Sequence, residues 1–126
     1  MTMEKLKFIN RGLKSIGVPY EYGMWSSAVQ YPYFVGEITE EEPTTEDGFT
    51  ESTLTLEGFH RGEYIELERV KDKIRSYFHP IEGVSGETEG GGVVVAFYAG
   101  AFPIPDDGSG VKRIQINIKI KEWKVN

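Results

Sequence analysis

The sequence predicts an α+β domain in which an antiparallel sheet of about four strands carries two helices packed on one face. Residues 64–78 set Leu67, Val70, Ile74, Tyr77 and Phe78 in one stripe at helical spacing, with charged residues on the other side. Residues 112–123 alternate Ile114, Ile116, Ile118 and Ile120 with Arg113, Gln115, Asn117, Lys119 and Lys121, the pattern of a strand with one buried and one wet face. A lone helix of about four turns is marginal in water. Its apolar stripe therefore needs a flat partner, and the isoleucine face supplies one. Strand-like segments on both sides of the helix complete the order helix, hairpin, helix, hairpin.

In chain order, residues 3–16 space Leu6, Ile9, Leu13 and Ile16 as a first helix, stopped by Gly17 and Pro19. Gly12 weakens that helix by about 1 kcal/mol relative to Ala. Residues 18–30 show no period and read as a connector with some docked side chains. Tyr31 to Thr39 and Thr50 to Phe59 read as hairpin strands. Leu54 and Leu56 face one way, and Glu51, Thr53, Thr55 and Glu57 the other. Pro32 suits an edge position or a strand start. Between these strands, residues 40–48 carry acids and no cation, the composition of a loop projecting into solvent.

The central helix has Glu63, Glu66 and Glu68 early and Lys71, Lys73 and Arg75 late, which complements its dipole, and Pro80 ends it. Residues 81–92 are rich in glycine and glutamate and read as a flexible link. Residues 93–102 form one strand, or two joined by a kink at Gly100. A turn through Pro103, Pro105, Asp106, Asp107, Gly108 and Gly110 then leads into the alternating strand. There is no internal repeat.

With 126 residues the chain fits a single domain, residues 1–126, with one core. Apolar residues at 39% and charged residues at 27% make it globular. The formal net charge of −6 argues against a surface that grips phosphates. The absence of cysteine excludes disulfides, thiolate metal sites and a Cys nucleophile. No apolar run reaches the ~18–20 residues of a membrane helix, and no signal peptide is evident, so the expected place of synthesis and residence is the cytosol.

Motifs for chemistry are scarce. His60 and His79 flank the central helix, roughly 28 Å apart at about 1.5 Å per residue, too far to share a metal, and read as loop-surface histidines. Asp106-Asp107-Gly108-Ser109-Gly110 places Asn117 where a calcium loop needs its final Glu, so it reads as a hairpin turn. Gly90-Gly91-Gly92 lacks the Lys-Ser/Thr of a phosphate loop. No nucleophile motif is present, and no catalytic, metal or cofactor residue is assigned. Tyr20, Tyr22, Trp25, Tyr31, Tyr33 and Phe34 crowd a short stretch, and such aromatics serve either the core or an interface.

The order of elements resembles the tail terminator and tail-completion proteins of long-tailed bacteriophages and prophages. The resemblance spans nearly the whole chain: an N-terminal helix, Tyr31 to Val35 opening a strand, a long acidic hairpin, Ser52 to Phe59, an amphipathic helix, and a closing strand pair ending in a basic alternating strand. It implies a non-enzymatic structural virion protein. Such proteins cap the tail tube as a ring, usually a hexamer, and join tail to head. The implied partners are further copies of the chain, the tail-tube protein and the head connector, with DNA passing through without specific binding and no membrane. The interface is expected on Trp25, Tyr31, Tyr33 and Phe34 and on the acidic loop residues Glu40, Glu41, Glu42, Glu46 and Asp47. The acidic loop, residues 40–47, and the glycine-rich link, residues 81–92, would become ordered only against a partner. A small soluble binding adaptor that forms no ring is the alternative.

Overall fold

A computed structural model describes residues 3–41, 49–88 and 90–123. The elements run α1 (Met3–Ser15), β1 (Tyr20–Tyr22), β2 (Tyr33–Glu40), β3 (Phe49–His60), α2 (Ile65–Tyr77), β4 (Val84–Glu87), β5 (Val93–Ile104) and β6 (Lys112–Trp123). The strands form a 6-stranded sheet in the order β1-β2-β3-β6-β5-β4. Neighbours are antiparallel except β1, which pairs in parallel with β2. The α+β class and the placement of both helices on one face are as the sequence predicts. The expectation of about four strands is corrected to six. The additions are the short edge strands: β1 lies within the expected connector and β4 within the expected flexible link.

β6 is the central strand, paired along its length with β3 on one side and β5 on the other. Ile114, Ile116, Ile118 and Ile120 are at most 1% exposed and face the helices. Leu54 and Leu56 of β3, Phe34 of β2 and Val94 and Ala96 of β5 extend the same surface. From α2, Leu67, Ile74 and Phe78 are buried against it, with Val70 and Tyr77 partly buried beside them. Ile9 and Leu13 bring in α1. The helix ends in a Schellman turn: Gly17 donates its N–H to Lys14 O, Val18 donates to Leu13 O, and Gly17 takes a φ of 77°. Gly12 is the price of a close crossing, since a Cβ there would meet Tyr77 Cε2 at 3.0 Å and Phe78 Cζ at 3.2 Å.

Gly100 marks the expected irregularity in β5. The register with β6 shifts between Tyr98 and Gly100, and Gly100 has a φ of 129°. Beyond the shift β5 continues through Pro103 to Ile104, so the expected turn starts later than its prolines suggest. Pro103 is tolerated because β4 pairs only with residues 93–96 of β5, leaving the later residues on an edge.

Glycines in β2 and β3 make room for aromatic rings on the core face. A Cβ on Gly58 would stand 2.3 Å from the Phe34 ring, and one on Gly36 would stand 2.7 Å from Tyr20. Phe34 is directly opposite Gly58 in the register, and Tyr20 opposite Phe34. Each strand therefore lays a ring over a glycine of the next, fixing how β1, β2 and β3 lie together.

A charge sits inside this apolar layer. Lys5 of α1 is 1% exposed, and its Nζ donates to Ser52 Oγ at 2.7 Å. Glu122, itself 2% exposed, lies at 3.9 Å and Glu40 at 3.8 Å. Ser52 and Glu122 project from the helix-facing side of β3 and β6, so Lys5 anchors the start of α1 to the sheet at the end away from Gly58.

Ile116→Asp should unfold the domain or cost at least about 3 kcal/mol, because it puts an unpaired charge among buried apolar groups. Glu57→Ala should leave the denaturant midpoint nearly unchanged. Gly58→Ala should cost about 1–3 kcal/mol by displacing the Phe34 ring. Adding Phe34→Leu should recover part of that loss, a coupling read from the double-mutant cycle. Burial and a hydrogen bond to Glu68 push the Tyr64 hydroxyl up to about 12, and burial raises Tyr20 as well. An unfolded tyrosine ionises near about 10, so the folded state retains protons that the unfolded state loses. Stability should hold below about pH 10 and fall as pH rises toward about 12, with tyrosinate absorbance appearing on unfolding.

Candidate interaction surface

The second face of the sheet carries no helix among the described residues. Alternation in β2 turns Tyr33, Val35 and Glu37 toward it, and alternation in β3 does the same for Thr53, Thr55, Glu57 and Phe59. The connector between β1 and β2 passes across this side and brings Trp25 down onto Tyr33, their ring centroids 5.0 Å apart. Glu21 ties the connector in place. Its carboxylate accepts from Ser26 Oγ at 2.6 Å, Ser26 N at 3.3 Å and Ser27 N at 3.2 Å, and the bond from Ser26 holds it below the usual carboxylate range. The Tyr31–Pro32 peptide bond is cis. Trp25 Nε1 donates to Ala28 O at 3.3 Å, which closes the turn on itself.

Tyr33 is the hub of the aromatic group. It stacks on Phe59 of β3 at 4.9 Å and meets Tyr31 at 5.7 Å. Burial, with Tyr31 and Glu57 nearby, raises its hydroxyl pKa. Tyr31 in turn stands edge-on to His60 at 6.5 Å. The Arg61 guanidinium lies 5.9 Å from the Tyr31 ring centroid, and its Nε donates to the Tyr31 hydroxyl at 3.3 Å. An open groove of about 380 Å³ is lined by Trp25, Tyr33 and Phe59 together with Glu37, Thr55 and Glu57. Glu57 is 3.6 Å from Arg113 of β6. The far part of the face is charged in alternation, with Lys119 paired to Glu51 at 3.0 Å and Lys121 over Phe97 at 5.8 Å.

The structure divides the residues expected at an interface. Trp25, Tyr31 and Tyr33 do come together on the open face, Tyr31 being 37% exposed. Phe34 does not: it is 0% exposed within the core, because successive residues of a strand point to opposite sides. Tyr20 joins Phe34 in packing against the core. Glu40 ends β2 with its carboxylate facing the buried Lys5, and Glu41 donates its N–H to Glu51 O to continue the β2–β3 pairing. Glu42, Glu46 and Asp47 lie outside the described residues.

Phe59, His60 and Arg61 are members of the cluster that the sequence reading omits. The alternation of β3 held the signal for Phe59, since it shares a parity with Glu57 and Thr55 and opposes Leu54 and Leu56. Of the histidines, His79 is an exposed loop residue whose Nδ1 accepts from the N–H groups of Ile81 and Glu82 at 3.2 and 3.1 Å. His60 is half-buried and its Nδ1 has no hydrogen-bond partner. No group of His, Cys, Asp or Glu able to hold a metal ion occurs among the described residues. No helix among them is long and apolar enough to cross a membrane.

No protein-family model matches the sequence, and no curated protein matches it significantly.

Trp25→Ala should remove the indole from Tyr33 while leaving the core untouched, so the melting temperature should shift little. The Tyr33 hydroxyl should then titrate closer to its ordinary value, followed by tyrosinate absorbance against the unsubstituted protein.

Proposed function

We propose that the protein is a non-enzymatic structural subunit of a long-tailed phage or prophage, which caps the tail tube as a ring and helps join tail to head. Its working partners are further copies of itself, the tail-tube protein and the head connector, and it acts in the virion tail after assembly in the host cytoplasm. The observation that carries this proposal is the one-sided packing. Helices cover one face of the sheet, and the other presents partly buried aromatics gathered around Tyr33. Further support comes from the order of elements and from the short edge strands β1 and β4, whose outer backbone groups can pair with another chain. An acidic chain around a DNA conduit does not grip phosphates, which suits passage without binding. Heterologous contacts between identical subunits close into rings when the rotation allows.

The test is particle size. By light scattering, the chain mixed with the tail-tube protein should form a closed oligomer on tube ends, while the chain alone stays smaller. A monomer bound at tube ends at every concentration would favour the ring-free adaptor instead, and absence from tubes would overturn both. Removing residues 42–46 should leave the melting temperature nearly unchanged and yield overlong tails or tails that fail to join heads. Normal tails after that deletion would sink the assignment of the acidic segment as a docking element.

A further inference from the structure

We infer that the groove beside Tyr33 is a receptor for an arginine side chain presented by a basic segment of a partner protein. The inference rests on the open face being a contact surface, but not on ring closure.

The groove has the components that a guanidinium needs. Trp25 and Phe59 pack against Tyr33 at 5.0 and 4.9 Å, and the three rings line the groove with aromatic surface. A planar, weakly hydrated guanidinium stacks on such faces. Glu37 and Glu57 line the same groove, and their carboxylates can take the guanidinium's N–H fork through charge-assisted hydrogen bonds, while Thr55 adds a hydroxyl acceptor. Glu57 is engaged by Arg113 only at 3.6 Å, and Glu37 is exposed and makes no ion pair with a described residue. The chain already shows the same chemistry at the rim, where Arg61 lies over Tyr31.

Charge selects the class of occupant. Two carboxylates at the wall disfavour a phosphate or a nucleic acid, and an apolar side chain would desolvate them without compensation. A lysine satisfies the charge but not the planar stacking or the fork. The net charge of −6 draws basic segments toward the surface before they dock. The groove is also held ready rather than formed on demand: Glu21 pins the connector that carries Trp25, and the β2–β3 register fixes Tyr33 opposite Phe59.

The experiment uses the full chain and three synthetic peptides of the form Gly-Ser-X-Gly-X-Ser-Gly, with X as arginine, lysine or the neutral isostere citrulline. Amide shifts of Gly23, Val35 and Thr55 and the Trp25 fluorescence report occupancy. The arginine peptide should bind saturably, the lysine peptide several-fold more weakly, and the citrulline peptide not measurably. Added salt should weaken binding. Glu37→Gln with Glu57→Gln should weaken it by about tenfold or more while the melting temperature stays close to the parent's. Trp25→Phe tests stacking alone and should weaken binding less than loss of the carboxylates. Equal binding of the citrulline peptide, or shifts centred elsewhere on the chain, would overturn the inference. Loss of self-association in the double glutamine variant without peptide would also overturn it, by placing a second copy in the groove. Failure of ring assembly on tube ends would leave the peptide result standing, so the two proposals fail separately.

Discussion

The isoleucine side of β6 is the constraint on which the rest of the molecule depends. β6 sits between β3 and β5, so its backbone is paired on both sides and its side chains must divide between two faces. Four isoleucines at 0 or 1% exposure give one face to the helices. The same alternation delivers Arg113, Gln115, Asn117, Lys119 and Lys121 to the other. A shift of one residue in register would exchange these sets and bury the charges, so the strict alternation also specifies the pairing. Everything on the open face, including the aromatic group around Tyr33, inherits its orientation from this choice.

Lys5 complicates a simple apolar account of the covered face. A buried cation is stabilising only when its partners compensate its lost hydration, and replacing such groups by apolar ones is often neutral or better. Here the ammonium donates to Ser52 and faces two carboxylates at near 4 Å, one of them equally buried. Its effect is directional: α1 can satisfy Lys5 only when its first turn stands over the ends of β3 and β6. At the other end of α1, Gly12 admits the rings of Tyr77 and Phe78. The helix is thus located at one end by polarity and at the other by close contact.

Legibility in the sequence followed the length and strictness of each pattern. β6 is read from its sequence over its whole span, and α2 to within a residue at each end, because many residues repeat one period. β1 and β4 have three and four residues, too few to repeat anything, and exist because a longer strand offers them a partner. The Tyr20 and Phe34 rings read as either core or interface until Gly36 and Gly58 are found packed against them. Lys5 carries no signal of its own in the sequence, since no local pattern reveals Ser52 and Glu122 beyond the turn of the chain. The open-face cluster was half legible: Trp25, Tyr31 and Tyr33 are close in sequence, whereas Phe59, His60 and Arg61 arrive only through the β2–β3 register.

The division of aromatics between Tyr33 and Phe34 explains why such a surface can persist on a stable domain. Phe34 and Tyr20 bury their rings where glycines receive them, and contribute to the core. Tyr33, Phe59 and Trp25 instead cover one another, so each ring loses part of its contact with water without a second helical layer above it. Polar strand residues border the group: Glu57 and Thr55 on β3, then Arg113 and Gln115 on β6. That border separates the group from the apolar residues Val95, Phe97 and Phe102, which β5 sets on the same face opposite Lys121, Lys119 and Gln115 of β6. Aromatic rings held in place beside the carboxylates of Glu37 and Glu57, the latter 3.6 Å from Arg113, make poor core and a poor seat for phosphate, and they suit the cationic partner proposed for the groove.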